Sequence, residues 1–124
     1  MVDSQRLPLH FFISYSHDDD ELVRQIVLDL RRHGIPSWLD NTGILPGTVD
    51  WEKVIREAMR QSYAVLLIAS PTSRQSWFVQ GEIRFAQDLG LKIYPLWVAG
   101  EKWTDSISLG LVNTLLSFLH LEHI

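Results

Sequence analysis

Apolar and polar positions along the chain switch repeatedly between two periods. His10-Phe11-Phe12-Ile13-Ser14 is short, apolar and rich in β-formers, and reads as a buried strand. From Asp18 to His33 the period becomes helical, with Leu22, Val23, Ile26, Val27 and Leu30 on one stripe. Asp18 with Glu21 resembles a capping box, and Arg31-Arg32-His33 before Gly34 forms a C-terminal stop. Ile35 to Leu39 reads as a second strand, with Pro36 at its entry. Asp40 to Val49 contains Gly43, Pro46 and Gly47 and reads as a loop, longer than the roughly two to six residues usual between strand and helix. Asp50 to Arg60 follows as a helix with Trp51, Ile55 and Ala58 inward. Tyr63 to Ala69 is a continuous apolar run suited to the sheet centre. Ser76 to Leu89 predicts a third helix, stopped by Gly90, and Lys92 to Val98 a fourth strand. A short helix around Leu109 to Leu116 and a last strand near Phe118 to Leu121 complete the pattern.

Strand and helix in regular alternation predict an α/β, flavodoxin-like three-layer fold. Its five parallel strands take the order 2-1-3-4-5, with helices on both faces. Ligands of such sheets bind beyond the C-terminal strand ends. Here those ends are Ser14 to Asp18, Leu39 to Gly47, Ala69 to Gln75 and Val98 to Lys102. The 124 residues suit one domain, expected over residues 9–124 behind a tail of residues 1–8.

Composition narrows the function. Hydrophobic residues make up 46% and charged residues 21%, as in a soluble globular chain. Eleven basic and 15 acidic residues leave a formal charge of −4, which argues against nucleic-acid binding by the whole surface. The absence of cysteine excludes a thiol nucleophile, a disulfide framework and a thiolate metal site, and agrees with a cytoplasmic location. Residues 1–8 lack the apolar core of a signal peptide, and no run approaches the roughly 18 apolar residues of a membrane span.

Glu82 is the most informative residue. Positions 78, 82, 85 and 89 share a helical face, and the other three are Phe78, Phe85 and Leu89. A carboxylate in an apolar stripe is costly to desolvate unless it is paired, hydrogen-bonded or at the rim of a cleft. Neighbouring Gly81 costs about 1 kcal/mol relative to alanine in a helix interior and clears space beside the carboxylate. Pairing with Arg60, Arg84 or Lys92 and placement at a reaction cleft are both compatible with this spacing.

Six segments, in order, carry a family resemblance. Phe11-Phe12-Ile13-Ser14-Tyr15-Ser16-His17-Asp18-Asp19 resembles the opening motif of Toll/interleukin-1 receptor (TIR) domains, of the bacterial type. Gly34 to Asp40 is similar to their second strand, and Ile44-Leu45-Pro46-Gly47 with Trp51 to their BB loop and the helix after it. Leu66 to Pro71 resembles the third strand and its exit. Ser76-Trp77-Phe78-Val79-Gln80-Gly81-Glu82 resembles the family's Ser-x-Trp-Val-x-x-Glu, and Ile93 to Leu96 its fourth strand. The resemblance runs over about residues 10 to 121.

The resemblance implies one of two functions. Some family members cleave the nicotinamide–ribose bond of NAD, as hydrolases or cyclases, in signalling, innate immunity or anti-phage defence. Others are scaffold or adaptor modules that bind further TIR domains without catalysis. The catalytic glutamate of the enzymes falls on Glu82. The aromatic residue one turn earlier, usually tryptophan, is Phe78 here. NAD would be the substrate, with no separate cofactor and no metal. Partners would be other TIR domains, through homotypic association, and sensor or effector domains fused in a longer protein, with no nucleic acid or membrane bound by this domain.

The remaining candidates are binding residues. Ser14, Tyr15 and Ser16 end the first strand and could bind hydroxyls or phosphate, although Ser16 could equally cap a helix. His17 could meet a phosphate or face solvent. Asp40 could hold ribose or cap the turn, and Gly43 could admit a ligand to the loop backbone or simply shape it. Trp51 could be a stacking platform or a core anchor, whereas Trp38, Trp97 and Phe118 read as core. The loop residues Ile44, Leu45, Pro46 and Gly47 expose an apolar tip unless it folds back or finds a partner, which points to self-association.

Other α/β functions lack their signatures. A phosphoacceptor receiver needs an aspartate ending the third strand, where Ala69-Ser70-Pro71 stands. A dinucleotide-binding Rossmann unit needs glycines after the first strand, and Ser14-Tyr15-Ser16-His17 has none. No G-x-S-x-G elbow is present for a serine hydrolase. The five histidines show no helical i, i+4 pair for metal.

Overall fold

The computed structural model describes residues 8–39, 49–108, 111 and 119–120. Strands β1 (His10–Ser14), β2 (Ser37–Leu39), β3 (Ser62–Ala69), β4 (Ile93–Trp97) and β5 (Leu119–His120) form one sheet in the order β2-β1-β3-β4-β5. Every neighbouring pair is parallel, with Ile13 opposite Leu66 and Leu66 opposite Tyr94 across the centre. Helices α1 (Asp20–Arg32), α2 (Val49–Arg60), α3 (Pro71–Gln75) and α4 (Trp77–Asp88) alternate with the strands. The expected α/β three-layer architecture and strand order are therefore the observed ones.

β3 is apolar from Ala64 to Ala69 because it is covered twice. Val65, Leu67 and Ala69 face a core shared with Ile55, Ala58 and Met59 of α2 and Val79, Ile83 and Ala86 of α4. Ile68, on the opposite face, joins Ile13, Leu96 and the α1 residues Val23 and Val27. Phe12 is fully buried, and its ring stacks on that of Trp38 at 5.1 Å between centroids. Trp38 and Trp97 are partly buried against this core, while Phe118 lies outside the described residues.

Two of the long helices, α1 and α4, end in the same way. After α1, Gly34 adopts φ +72°; its N–H donates to the Arg31 carbonyl and that of Ile35 to the Leu30 carbonyl. After α4, Gly90 adopts φ +74°, with equivalent bonds from Gly90 to Gln87 and from Leu91 to Ala86. These are Schellman motifs, which need a left-handed residue that glycine supplies without strain.

Three local expectations are corrected. The first helix begins at Asp20, not Asp18, because a 3₁₀ turn over His17–Asp19 precedes it and Ser16, rather than an Asp18–Glu21 box, supplies the side-chain cap. A further short helix, α3, occupies the segment before Ser76; Ser70 caps it with Pro71 at its first position. A second 3₁₀ turn spans Trp103–Asp105. The expected helix around residues 109–116 lies outside the described residues apart from residue 111, and Leu119–His120 are the described residues of the last strand. No helix among the described residues is long and apolar enough to cross a membrane.

Candidate active site

Ser14 and Glu82 meet at the C-terminal end of the sheet. β1 sits between β2 and β3, so its last residue is covered by sheet and helix together, and Ser14 is 0% exposed. α4 starts at Ser76, whose Oγ accepts the Val79 N–H at 3.2 Å, and this cap sets the helix phase. Glu82 consequently points down onto β1 and is 5% exposed. The Ser14 Oγ donates to Glu82 Oε1 at 2.7 Å. A hydrogen bond to a buried carboxylate is among the stronger neutral-to-charged contacts in a protein.

The buried stripe of α4 is Val79, Glu82, Ile83 and Ala86, not positions 78, 82, 85 and 89 as the apolar pattern suggested. Leu89 is exposed, and Phe78 and Phe85 are half-buried. The helix is rotated so that its small and β-branched residues reach the sheet. Glu82 then lies on the border between core and surface, with the two phenylalanines beside it.

That border opens into a cleft of about 190 Å³ between α2 and α4. Glu52, Ile55 and Arg56 line it from α2. Trp77, Phe78, Gly81, Glu82 and Phe85 line it from α4. Arg56 bonds Glu52 at 2.6 Å and lies 4.9 Å over the Phe85 ring. Arg60, offered by the sequence as a partner for Glu82, pairs with Glu57 at 3.9 Å and leans over Phe85. A much smaller hollow on the other side of Phe78 and Glu82 is lined by Ile13, Tyr15 and His17. Glu82 and Phe78 thus form a partition touched by both spaces.

The candidate residues separate accordingly. Ser14, Tyr15, His17, Phe78 and Glu82 come together. Tyr15 and His17 meet edge to face at 5.7 Å, and the exposed His17 Nδ1 is 3.8 Å from Asp20 Oδ1. The Ser16 hydroxyl accepts the Asp18 N–H at 3.3 Å, which makes it a cap. Asp40, Gly43, Ile44, Leu45, Pro46 and Gly47 lie outside the described residues, as does the side chain of Trp51, whose backbone is in α2.

Sequence reasoning missed Glu52 and Arg56 as a wall and Trp77 as a lining residue. Trp77 is the first residue of α4, where the helix has no preceding turn for the ring to pack on. Its proximity to Gly81 four positions later was the available signal. Also missed was the bond from Ser70 Oγ to Asp19 Oδ2, 2.6 Å, which ties the exit of β3 to the turn after β1.

Comparison with curated proteins gave no match. Among solved structures, the chain is similar to the TIR domain of the Toll-related receptor TRR-2 of Hydra magnipapillata, with TM-score 0.71 and 19% identity over 90% of this chain and 82% of that one. It is similar to the TIR domains of the activated Roq1 resistosome, which directly recognizes the pathogen effector XopQ, with TM-score 0.56 and 17% identity over 70% of this chain and 55% of that one. It is also similar to a metazoan TIR-STING receptor of C. gigas, with TM-score 0.62 and 28% identity over 84% of this chain and 35% of that one. A family model described as TIR domain matches residues 11–119. With the strand order, the helical layers and this match in agreement, the chain belongs to the TIR-domain family.

Proposed function

We propose that this TIR domain cleaves the nicotinamide–ribose bond of NAD, with Glu82 as the catalytic carboxylate. The observation that carries the reading is a carboxylate oriented by Ser14 at the edge of an aromatic-lined cleft. In NAD the ring nitrogen is already cationic, so the leaving group needs no proton. The C1′–N bond breaks with its electron pair passing to the pyridinium nitrogen, which leaves as neutral nicotinamide. Positive charge then develops on the ribose ring. Glu82 stabilises that charge and holds ribose hydroxyls, with greater effect in a water-poor site. Water adds to C1′ and releases a proton, giving ADP-ribose; an internal nucleophile of the ADP-ribosyl unit gives a cyclic product instead. Phe78 and the Tyr15–His17 pair border the same partition and are assigned to substrate contact. Asp40, Gly43 and Trp51 are proposed as further substrate contacts.

Self-association is the control we assign to this activity. The apolar members Ile44 and Leu45 of the loop, with Pro46 and Gly47, are the surface proposed to pack on a second TIR domain. The domain would work in a longer cytoplasmic signalling or defence protein, fused to a sensor or effector segment.

The test is nicotinamide release from NAD by the protein under enforced clustering, followed by chromatography. Wild type should release nicotinamide and Glu82→Ala should not, with unchanged circular dichroism. Equal turnover by Glu82→Ala would remove Glu82 from the reaction. A clustered wild type that binds other TIR domains without release would assign an adaptor role.

A further inference from the structure

Asp19 stands at the N-cap of α1, where aspartate is favoured because its carboxylate accepts a backbone N–H of the first turn. Here its side chain makes no such bond. Its Oδ2 instead accepts the hydroxyl of Ser70, 51 residues away, at 2.6 Å. That distance fits a charge-assisted bond between hydroxyl and carboxylate. Ser70 is 2% exposed, and its single hydroxyl proton goes to Asp19. The Thr72 hydroxyl, 3.0 Å away, therefore donates to Ser70 Oγ, which also accepts the Ser73 N–H at 3.1 Å. A local cap is given up for a tertiary bond.

Ser70 belongs to the body that carries Glu82. Ser76 is at once the C-cap of α3 and the N-cap of α4, so no free linker residue separates the two helices. Its N–H donates to the Ser73 carbonyl at 3.2 Å, and Gln80 Nε2 of α4 donates to the Arg74 carbonyl at 3.1 Å. α3 is thereby fixed to the first turn of α4. Asp19, for its part, ends the 3₁₀ turn that begins at His17. The Asp19–Ser70 bond thus joins the two sides of the small hollow, Ile13, Tyr15 and His17 on one and Phe78 and Glu82 on the other. Ser14 ties the same sides through Glu82 itself. The two ties fix different things: the Ser14 bond orients the carboxylate, and the Asp19 bond places the turn across the hollow from it. We propose that Asp19 and Ser70 are positioning residues that hold the Tyr15–His17 turn opposite Glu82 for substrate binding. The inference rests on the NAD reading for the identity of the substrate, and deepens it by separating the groups that set binding from the group that serves bond cleavage.

Two readouts on the folded chain test this. Tyr15 and His17 meet edge to face at 5.7 Å, so the His17 ring protons carry a ring-current shift that NMR reads without substrate. Ser70→Ala should move those signals and leave those of the buried Phe12–Trp38 stack in place. Nicotinamide release under clustering is the second readout. Ser70→Ala should raise KM for NAD about tenfold with kcat nearly unchanged, because the substrate contacts shift while Ser14 still holds Glu82. Asp19→Ala should match it, and the double variant should be no worse than either alone. Asp19→Asn keeps an accepting oxygen without the charge and should fall between wild type and Asp19→Ala; at a less buried residue, it also carries the test if Ser70→Ala does not fold. A bond that serves stability alone would lower the thermal midpoint and leave both the His17 signals and the KM of the folded molecules unmoved, which overturns the proposal. Additive effects on KM in the double variant overturn it as well. Release by wild type with KM unmoved in Ser70→Ala overturns the positioning role and leaves the NAD reading standing. Displaced His17 signals in the variants, with no release by wild type, support the placement of the turn and overturn the NAD reading.

Discussion

Ser14 and Glu82 are 68 residues apart in sequence and 2.7 Å apart in space. Ser14→Ala removes the hydroxyl that donates to this carboxylate oxygen, in a place where water has little access. The expected loss is about 1–3 kcal/mol of stability, measured by denaturant unfolding. Nicotinamide release should fall as well, because the carboxylate loses its fixed orientation. The double variant Ser14→Ala/Glu82→Gln should lose less than the sum of the single changes, since the two side chains share one interaction. Glu82 stood out in the sequence as a carboxylate among apolar residues. Ser14 was singled out as a substrate contact and not as the group that holds Glu82, because the residue opposite a strand end is unknown until the opposing helix is placed.

At the scale of elements, α4 shows how packing adjusts a pattern. The sequence offered one apolar face for the helix over residues 76–89, at positions 78, 82, 85 and 89, with both phenylalanines on it. The sheet selects the narrower side instead, because Val79, Ile83 and Ala86 allow close approach to β3 and β4. Ile83→Ala should therefore cost about 2–5 kcal/mol, whereas Leu89→Ala, at a residue 39% exposed, should stay within about 0.5 kcal/mol. Thermal or denaturant melts of the two variants distinguish the stripes directly. The helix stops were readable in advance: Gly34 and Gly90 both follow the last apolar positions and both occupy left-handed conformations. Nothing lies within 4 Å of a Cβ at either position. Gly90→Ala should thus lose about 1–2 kcal/mol through backbone conformation alone, without altering nicotinamide release per folded molecule.

At the scale of the whole molecule, the sheet brings the ends of β1 and the start of α4 to one edge, and the cleft lies between α2 and α4 on that side. The proposed assembly adds a concentration term. If productive substrate binding needs a second domain, specific activity should rise with protein concentration until the domains are assembled, by mass action. Leu45→Glu should lower activity at a fixed concentration, and artificial tethering should restore it. Specific activity that is flat across a wide concentration range, and equal in Leu45→Glu, would establish a self-sufficient monomer.

The alternation of periods by itself determined the layered α/β fold, the parallel sheet and the burial of Tyr63 to Ala69 as a class, because a strand covered on both faces must be apolar at every position except its ends. Tyr63 marks such an end: it is exposed and stacks on Phe11 at 5.3 Å. The sequence also singled out Glu82, since a misplaced charge is visible in any helical projection. Tertiary structure alone decided which residue holds that carboxylate, which stripe of α4 meets the sheet, and that Trp77 shares a cleft with Phe78. A helical projection places Trp77 about 100° from Phe78, but it treats side chains as spokes of equal length. The first residue of a helix carries a long flat ring with no preceding turn of its own helix to restrain it, and α2 supplies the opposite wall from Glu52, Ile55 and Arg56. Local periodicity encodes which face is apolar; the distance between two elements depends on how both pack on a third, and no stretch of sequence contains that relation.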